Sequence, residues 1–237
     1  MTPAIPILIF LIIGGLVIAG MIYAQKQAAA RREALFALAG EIGWEFDPSE
    51  APDFDDQYGQ YDIFTRGHSR SAYNTLIGAL KITCDDRAVD LPARIGDYTY
   101  KITRSTGKST TTTTYRFSYL MIHFPWPNVP PLLIRHEGLL DKIAGALGFD
   151  DIDFESEEFS RRFCVKSPEK KFAYDVCDPR MMEFLLQTTP PAIDMQRGCC
   201  CVSDGSRQWE PEQFRAMLGW ANEFFARWPA HVVRSLE

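Results

Sequence analysis

Residues 4–24 read AIPILIFLIIGGLVIAGMIYA, and this stretch decides how the chain is organised. None of its 21 residues carries a charge, and only Tyr23 bears a polar side-chain group. As a helix rising 1.5 Å per residue it spans about 31 Å, against a hydrocarbon core of roughly 30 Å. Pro6 falls in the first turn, where its missing N–H costs little. Tyr23 stands where an interfacial aromatic belongs. A cleavable signal peptide fits less well, because Met1-Thr2-Pro3 has no charged side chain and the apolar run is longer than the usual h-region. A buried core helix of this length without a charge at the extreme terminus is rarer still. The stretch reads as a retained transmembrane anchor.

The charges divide at its end. Residues 1–32 contain no Asp or Glu and hold Lys26, Arg31 and Arg32, a charge of +3. The whole chain of 237 residues carries 25 Lys+Arg and 31 Asp+Glu, for −6, so the part after residue 32 carries −9. Basic residues follow the span and none precede it, which predicts an N-terminus outside and a cytoplasmic remainder. Tyr23, Lys26, Arg31 and Arg32 are the expected membrane-interface residues, with the arginines able to meet lipid phosphates. Gly15 with Ala19, and Gly20 with Ala24, stand at small-xxx-small spacing, a face on which another helix can pack closely.

Beyond the span, Leu35, Leu38, Ala39 and Ile42 recur at i, i+3, i+4, i+7, which predicts continued helix with a stripe docking on the domain. Gly40 and Gly43 mark its end. FDPSEAPDFDDQYGQ reads as a surface loop or short turn. Strands are expected at Tyr61–Thr65, Tyr73–Cys84, through DYTYKIT (97–103), at Thr112–Phe124 and at Leu132–Arg135, with RSTGKSTTTT (104–113) as a polar hairpin tip. GLLDKIAGALG (138–148) carries Leu139, Leu140, Ile143 and Leu147 on one side of a helix. Ser167-Pro168, Asp178-Pro179 and Glu210-Pro211 read as helix starts. AIDMQ-RG-CCCVS reads as a β-hairpin, and 211–228 as an amphipathic helix. The fold class is α+β, because regular βαβ alternation is absent. It divides into an anchor with a basic collar (1–32), a juxtamembrane helix with an antiparallel β region (33–137), and a helix-rich region (138–237) that either stands apart or continues the same domain.

Candidate chemistry is sparse. The cysteines are Cys84, Cys164, Cys177, Cys199, Cys200 and Cys201, with no CxxC. Three in a row on a strand alternate faces and cannot enclose one tetrahedral metal, so they read as free thiols acting as small hydrophobes. The histidines, His68, His123, His136 and His231, are scattered, and His68 with Arg66 and Arg70 is the one candidate anion-binding cluster. Gly107-Lys108-Ser109 lacks the glycine five residues earlier that a phosphate-binding loop needs, since position 102 is Ile. DDIDFESEE (150–158) lacks EF-hand spacing and reads as a turn opening a helix with Ser156 as N-cap. No catalytic residue, metal or cofactor is expected.

Several segments taken together, RREALFALAGEIGWEF, RGHSRSAYNTLIGAL, DIDFESEEFSRRFCV and KKFAYDVCDPRMMEFLL, resemble uncharacterised bacterial proteins with one N-terminal membrane helix and a soluble region of unknown function. The resemblance implies a bacterial, membrane-anchored protein and no site residue; together with the charge bias, the expected location is the bacterial inner membrane, single-pass, with the C-terminal domain in the cytoplasm. The expected function is a non-enzymatic accessory or scaffold subunit of a larger membrane complex. Its partners would be another integral membrane protein and the lipid bilayer, and the acidic pI near 5.3 argues against nucleic acid. The alternative is a ligand-sensing or enzymatic cytoplasmic domain with a site near His68.

Overall fold

The computed structural model describes residues 4–84, 87–107, 109–126, 128–137 and 150–237. The first helix, α1 (Ala4–Ile42), runs 39 residues without interruption. It is long and apolar enough to cross a bilayer. Its lower end buries Leu35, Leu38 and Ala39, the stripe that the 3.6-residue period foretells. It stops in a two-bond C-cap: Trp44 N donates to Ala39 O (2.8 Å) and Gly43 N to Gly40 O (3.4 Å), with Gly43 left-handed at φ 72°. Trp44 then lies flat on Gly78, where a Cβ would come within 2.3 Å of the indole.

Among the described residues, eight antiparallel strands form one sheet in the order β1-β2-β3-β4-β8-β7-β5-β6. They are β1 (Glu45–Asp47), β2 (His68–Cys84), β3 (Arg87–Ser105), β4 (Thr110–His123), β5 (Leu132–His136), β6 (Phe163–Lys166), β7 (Ile193–Gln196) and β8 (Cys199–Val202). Strands from both sides of residue 137 therefore share one sheet. The helices are α2 (Phe54–Tyr58), α3 (Asp62–Thr65), α4 (Glu157–Arg162), α5 (Lys170–Val176), α6 (Pro179–Thr188), α7 (Pro211–Ala226) and α8 (Ala230–Leu236).

The two sheet faces bury different chemistry. Ile95, Leu120, Ile122, Cys200 and Val202 face a large core closed by the end of α1, by α7 and by the helices α5, α6 and α8. Tyr98, Phe117, Tyr119, Met121, Cys199 and Cys201 face a smaller aromatic core closed by α2 and α3. Phe54, Phe64, Tyr98 and Tyr119 meet there edge to face or tilted, with centroids 4.8–5.9 Å apart. The cysteine run does alternate faces, and no disulfide links the described thiols. The β7–β8 hairpin turns through Arg197 and Gly198, both left-handed (φ 50° and 74°), as a two-residue hairpin requires.

Other expectations are corrected. Tyr61–Thr65 is not a strand but contributes α3, because Phe54, Tyr58 and Tyr61, spaced by four and three, put buried rings on one side. The acidic segment before it is not merely a loop: it forms β1 and α2, and Phe54 and Tyr58 are buried. The Thr-rich tip is shorter than expected, since pairing continues to Ser105↔Thr110, helped by the Thr103–Thr112 hydroxyl contact at 2.8 Å. Helix α5 starts after Ser167-Pro168, with Glu169 at the cap, because the Ser167 hydroxyl donates to Pro131 O instead. Asp178 caps α6 by accepting from Met181 N, and Ser156 caps α4 through Phe159 N. The segment 138–148 lies outside the described residues.

One buried acid sits on the aromatic side. Burial of Asp194 pushes its carboxyl up to about 7, partly offset by Gln196 Nε2, which donates to both oxygens at 3.2 Å. The folded chain holds this proton more tightly than the unfolded chain, whose Asp titrates near 3.9. Its stabilising effect is complete below pH ~4 and is lost as the pH rises to about 7. Between pH ~5 and ~8 the wild type should therefore lose roughly 2.5 kcal/mol relative to Asp194→Asn, on urea midpoints of both. Parallel pH profiles would show that Asp194 is not protonated in the fold.

Candidate functional site

The site with the most unusual physical chemistry lies where α1 meets the sheet. Strand β2 carries a bulge there: the register passes from Tyr73↔Asp97 to Leu76↔Ile95, one residue more on β2 than on β3. Asn74 occupies the bulge in a left-handed conformation (φ 51°), which Asn tolerates better than most residues. On the adjacent β3, Asp97 faces the α1 side and is 0% exposed.

A buried carboxylate costs several kcal/mol unless it is paired and hydrogen-bonded. Asp97 is both. Arg31 Nε donates to its Oδ2 (2.8 Å) and Arg31 Nη2 to its Oδ1 (2.7 Å), a bidentate fork. Asn74 Nδ2 donates to Oδ2 (3.2 Å), and Ser118 Oγ to Oδ1 (2.7 Å). Ser118 Oγ in turn accepts from Trp209 N at 2.9 Å. Arg31 Nη2 also reaches Trp209 O (2.7 Å), and its guanidinium carbon lies 5.5 Å from the Phe214 ring centroid. One arginine on α1 thus joins β3, the loop before α7, and α7 itself.

A groove of about 650 Å³ opens beside this cluster, lined by Ala24, Ala28 and Ala34 of α1 and by Tyr73, Asn74, Arg116, Gln208 and Glu210 of the domain. Gln208 Nε2 donates to the Tyr73 hydroxyl at 3.1 Å. Burial, and then the Asp97 charge, push that phenol up to about 12, so it stays protonated.

The residues expected to matter from sequence are distributed as follows. Arg31 does not point toward headgroups but into the domain, because Asp97 supplies a fixed counter-charge out of water. Lys26 and Arg32 remain exposed on α1, and the Tyr23 hydroxyl accepts from Gln27 Nε2 (2.6 Å). Gly15, Ala19, Gly20 and Ala24 are all uncovered by the rest of the chain, with nothing within 4 Å of a Cβ built on Gly15 or Gly20. Arg66, His68 and Arg70 are not brought together as an anion site. Arg66 pairs with Asp62 (3.1 Å), Arg70 with Asp55 (2.8 Å), and His68 Nε2 contacts Thr103 Oγ1 (2.9 Å). The two arginines are already engaged by acidic residues of α3 and α2, and His68 by strand hydroxyls.

Two further clusters escaped the sequence reading because their members are far apart in the chain. His123 lies between Tyr58, whose hydroxyl is 2.9 Å from Nε2, and Cys199, whose sulfur is 3.4 Å from Nδ1. The order imitates a nucleophile and base with an orienting third group. The electrostatics oppose that use: burial raises the Cys199 thiol and lowers the His123 imidazole, so both rest neutral. Glu137, Asp151 and Cys164 bring three ligand atoms within 4.8 Å of one another. Burial, and then the hydrogen bond to Asp151, push the Cys164 thiol up to about 12, and it donates to Asp151 Oδ1 at 2.7 Å. A thiol held protonated is a poor metal ligand.

No family model matches the chain, and no curated protein matches it in sequence. A solved structure shares the fold. It is the crystal structure of the mycobacterial trehalose monomycolate transport factor A, TtfA. The superposition covers 85% of this chain and 96% of that one, with a TM-score of 0.53 at 14% identity. At that identity the likeness concerns the fold: an α+β chain built on an antiparallel sheet.

Two measurements test this site. Arg31→Met, which strands Asp97 without its cation, should destabilise the full chain by about 3–5 kcal/mol in thermal or urea unfolding. Adding Asp97→Asn should recover part of that loss, because the neutral amide no longer needs the cation; equal losses for the single and double variants would contradict the pairing. Cys199 should react with iodoacetamide at pH ~7.5 at least roughly tenfold more slowly than an exposed thiol, since it is protonated and 9% exposed.

Proposed function

We propose that this chain is a single-pass, non-enzymatic accessory subunit of a bacterial inner-membrane assembly. Its anchor recruits a partner, and its α+β domain braces that partner from the cytoplasm. The supporting observation is mechanical: Arg31–Asp97 locks the domain onto the same unbroken helix that contains the apolar 4–24 segment. About seven residues separate Ala24 from Arg31, roughly 10 Å of helix. The headgroup layer on each side of a bilayer is about 5–8 Å deep, so the domain rests against it with no flexible linker.

The cytoplasmic orientation rests on Lys26, Arg31 and Arg32. Arg31 counts although it is later buried, because orientation is decided at insertion, before Asp97 exists as a folded site. The −9 of the domain is repelled by anionic headgroups, which favours a protein partner and leaves lipid contact to Lys26 and Arg32. The small-residue faces Gly15–Ala19 and Gly20–Ala24 offer the partner helix a close approach. The shared fold with a factor named for transport makes a transport assembly the class of complex to examine first. The alternative of a site at Arg66, His68 and Arg70 has less support, because those groups already satisfy one another's neighbours.

Native membranes solubilised in mild detergent test the reading. The full chain should elute with a larger membrane complex, and Gly20→Leu should lower the recovered partner severalfold without changing the domain's melting temperature. Elution only as a monomer, with no cross-linked neighbour in intact membranes, would sink the proposal.

A further inference from the structure

The charge of the domain is not evenly spread. Residues 98–117, YTYKITRSTGKSTTTTTYRF, hold Lys101, Arg104, Lys108 and Arg116 and no acid, a charge of +4. Residues 33–237 as a whole carry −9, so the domain without this stretch carries −13. The stretch is the outer part of the β3–β4 hairpin. Strand β2 pairs with β3 only as far as Lys101, and β8 pairs with β4 only from Leu120 onward. Beyond those limits β3 and β4 pair with each other alone, to Ser105↔Thr110. The outer hairpin is therefore a two-stranded ribbon that projects about 13 Å past Lys101.

Its cations are unengaged. Lys101, Arg104 and Arg116 are exposed, and none makes an ion pair or a side-chain hydrogen bond among the described residues. Elsewhere Arg70, Arg162, Arg180 and Arg227 each hold an acid within 3.5 Å. The ribbon has no acid of its own to hold. Lys101 and Arg116 share the sheet face of Asp97 and Ser118, by the alternation of the paired strands.

The direction of the ribbon follows from three contacts between α1 and the sheet. Trp44, just past α1, lies on Gly78, whose partner on β3 is Ala93. Arg31 grips Asp97. Ala24, Gln27 and Ala28 line the groove with Arg116, whose partner on β3 is Thr99. Going back along α1 toward its apolar segment thus means going forward along β3 toward Ser105. From Arg31 to Ala24 is about 10 Å of helix, and from Asp97 to Lys101 about 13 Å of strand. Lys101 therefore reaches the level of the last residue of the apolar 4–24 segment, and Arg104 stands farther on.

With that segment in the bilayer, these cations lie at headgroup depth. Threonines and cations cannot enter hydrocarbon, so the ribbon, twisting away from the helix as two-stranded ribbons do, lies along the headgroup layer. Tyr115, 39% exposed and stacked on Tyr100 at 5.1 Å between centroids, adds an amphipathic ring of the kind interfaces favour.

We infer that the β3–β4 ribbon is a second membrane contact, which binds the phosphates of anionic phospholipids through Lys101, Arg104 and Arg116. The repulsion between the acidic domain and anionic headgroups stops at the ribbon, where the sign reverses, so lipid contact is not confined to Lys26 and Arg32. This rests on the membrane placement of residues 4–24 and on no protein partner.

The test uses the full chain in nanodiscs of phosphatidylcholine with a minor share of phosphatidylglycerol, and benzoylphenylalanine in place of Thr106 at the exposed tip. On irradiation, phosphatidylglycerol should be cross-linked severalfold above its share of the lipid. Lys101→Gln, Arg104→Gln and Arg116→Gln together should return the ratio to that share, each charge counting for up to about fivefold. Salt at ~0.5 M, which screens exposed charges, should do the same. The melting temperature of the triple variant should be unchanged, because all three side chains are exposed. Gly20→Leu should leave the ratio as it was, which separates this contact from the partner face. No lipid adduct at position 106, or an enrichment that survives the triple variant, would overturn the inference. So would cross-linking of position 106 to a protein instead of lipid in native membranes.

Discussion

The domain depends on a carboxylate placed where water cannot reach it. Asp97 stands on an inner strand of the sheet, on the face that α1 and α7 cover. Left alone there it would be an uncompensated buried charge costing several kcal/mol. Arg31 compensates it, but only if α1 is helical at residue 31 and seated with that side inward. The fold of the sheet and the placement of the helix are thus one condition. A surface ion pair would contribute at most about 1 kcal/mol and could break without consequence. This one is shielded, bidentate and backed by Ser118 and Asn74.

The same cluster explains the geometry around it. The β2 bulge turns Asn74 toward Asp97, and the loop before α7 is held by Trp209 N on Ser118 Oγ and by Trp209 O on Arg31. Helix α7 then starts at Pro211 with Glu210 as its cap, and Glu210 N donates to Gln213 Oε1 at 2.8 Å. The groove is a by-product of this arrangement: α1 is held against the domain by Arg31 below, while its alanines above cannot fill the gap.

Much of this architecture was legible in the sequence, and the illegible parts share a cause. Local patterns succeeded where one face stays buried along a whole element. The Leu35–Leu38–Ala39 stripe, the Arg197-Gly198 hairpin and the apolar face of α7 are of this kind. DYTYKIT shows the limit. Tyr98 and Tyr100 are inward as their alternation suggests, yet Asp97, on the opposite and apparently polar face, is fully buried. That face is open near Lys101 and covered at Asp97, and the cover comes from a residue 66 positions away. Arg31 misled for the same reason, since beside a membrane span an arginine reads as a lipid contact until its counter-charge is known. Arg66 and Arg70 looked free because Asp62 and Asp55 lay in segments read as strand and loop. Asn74 became visible only with the bulge, which one unpaired residue creates and no short-range pattern announces.

If the carboxylate on β3 holds the helix, the segment between the span and the domain cannot be a hinge. Hydrogen exchange of the full chain in nanodiscs measures this directly. Amides 28–42 should exchange as slowly as those of β3 and β4, through global unfolding, and Arg31→Met should release them selectively. Exchange of 28–42 at the rate of a frayed or linker-like helix in the wild type, with the sheet still protected, would contradict the account.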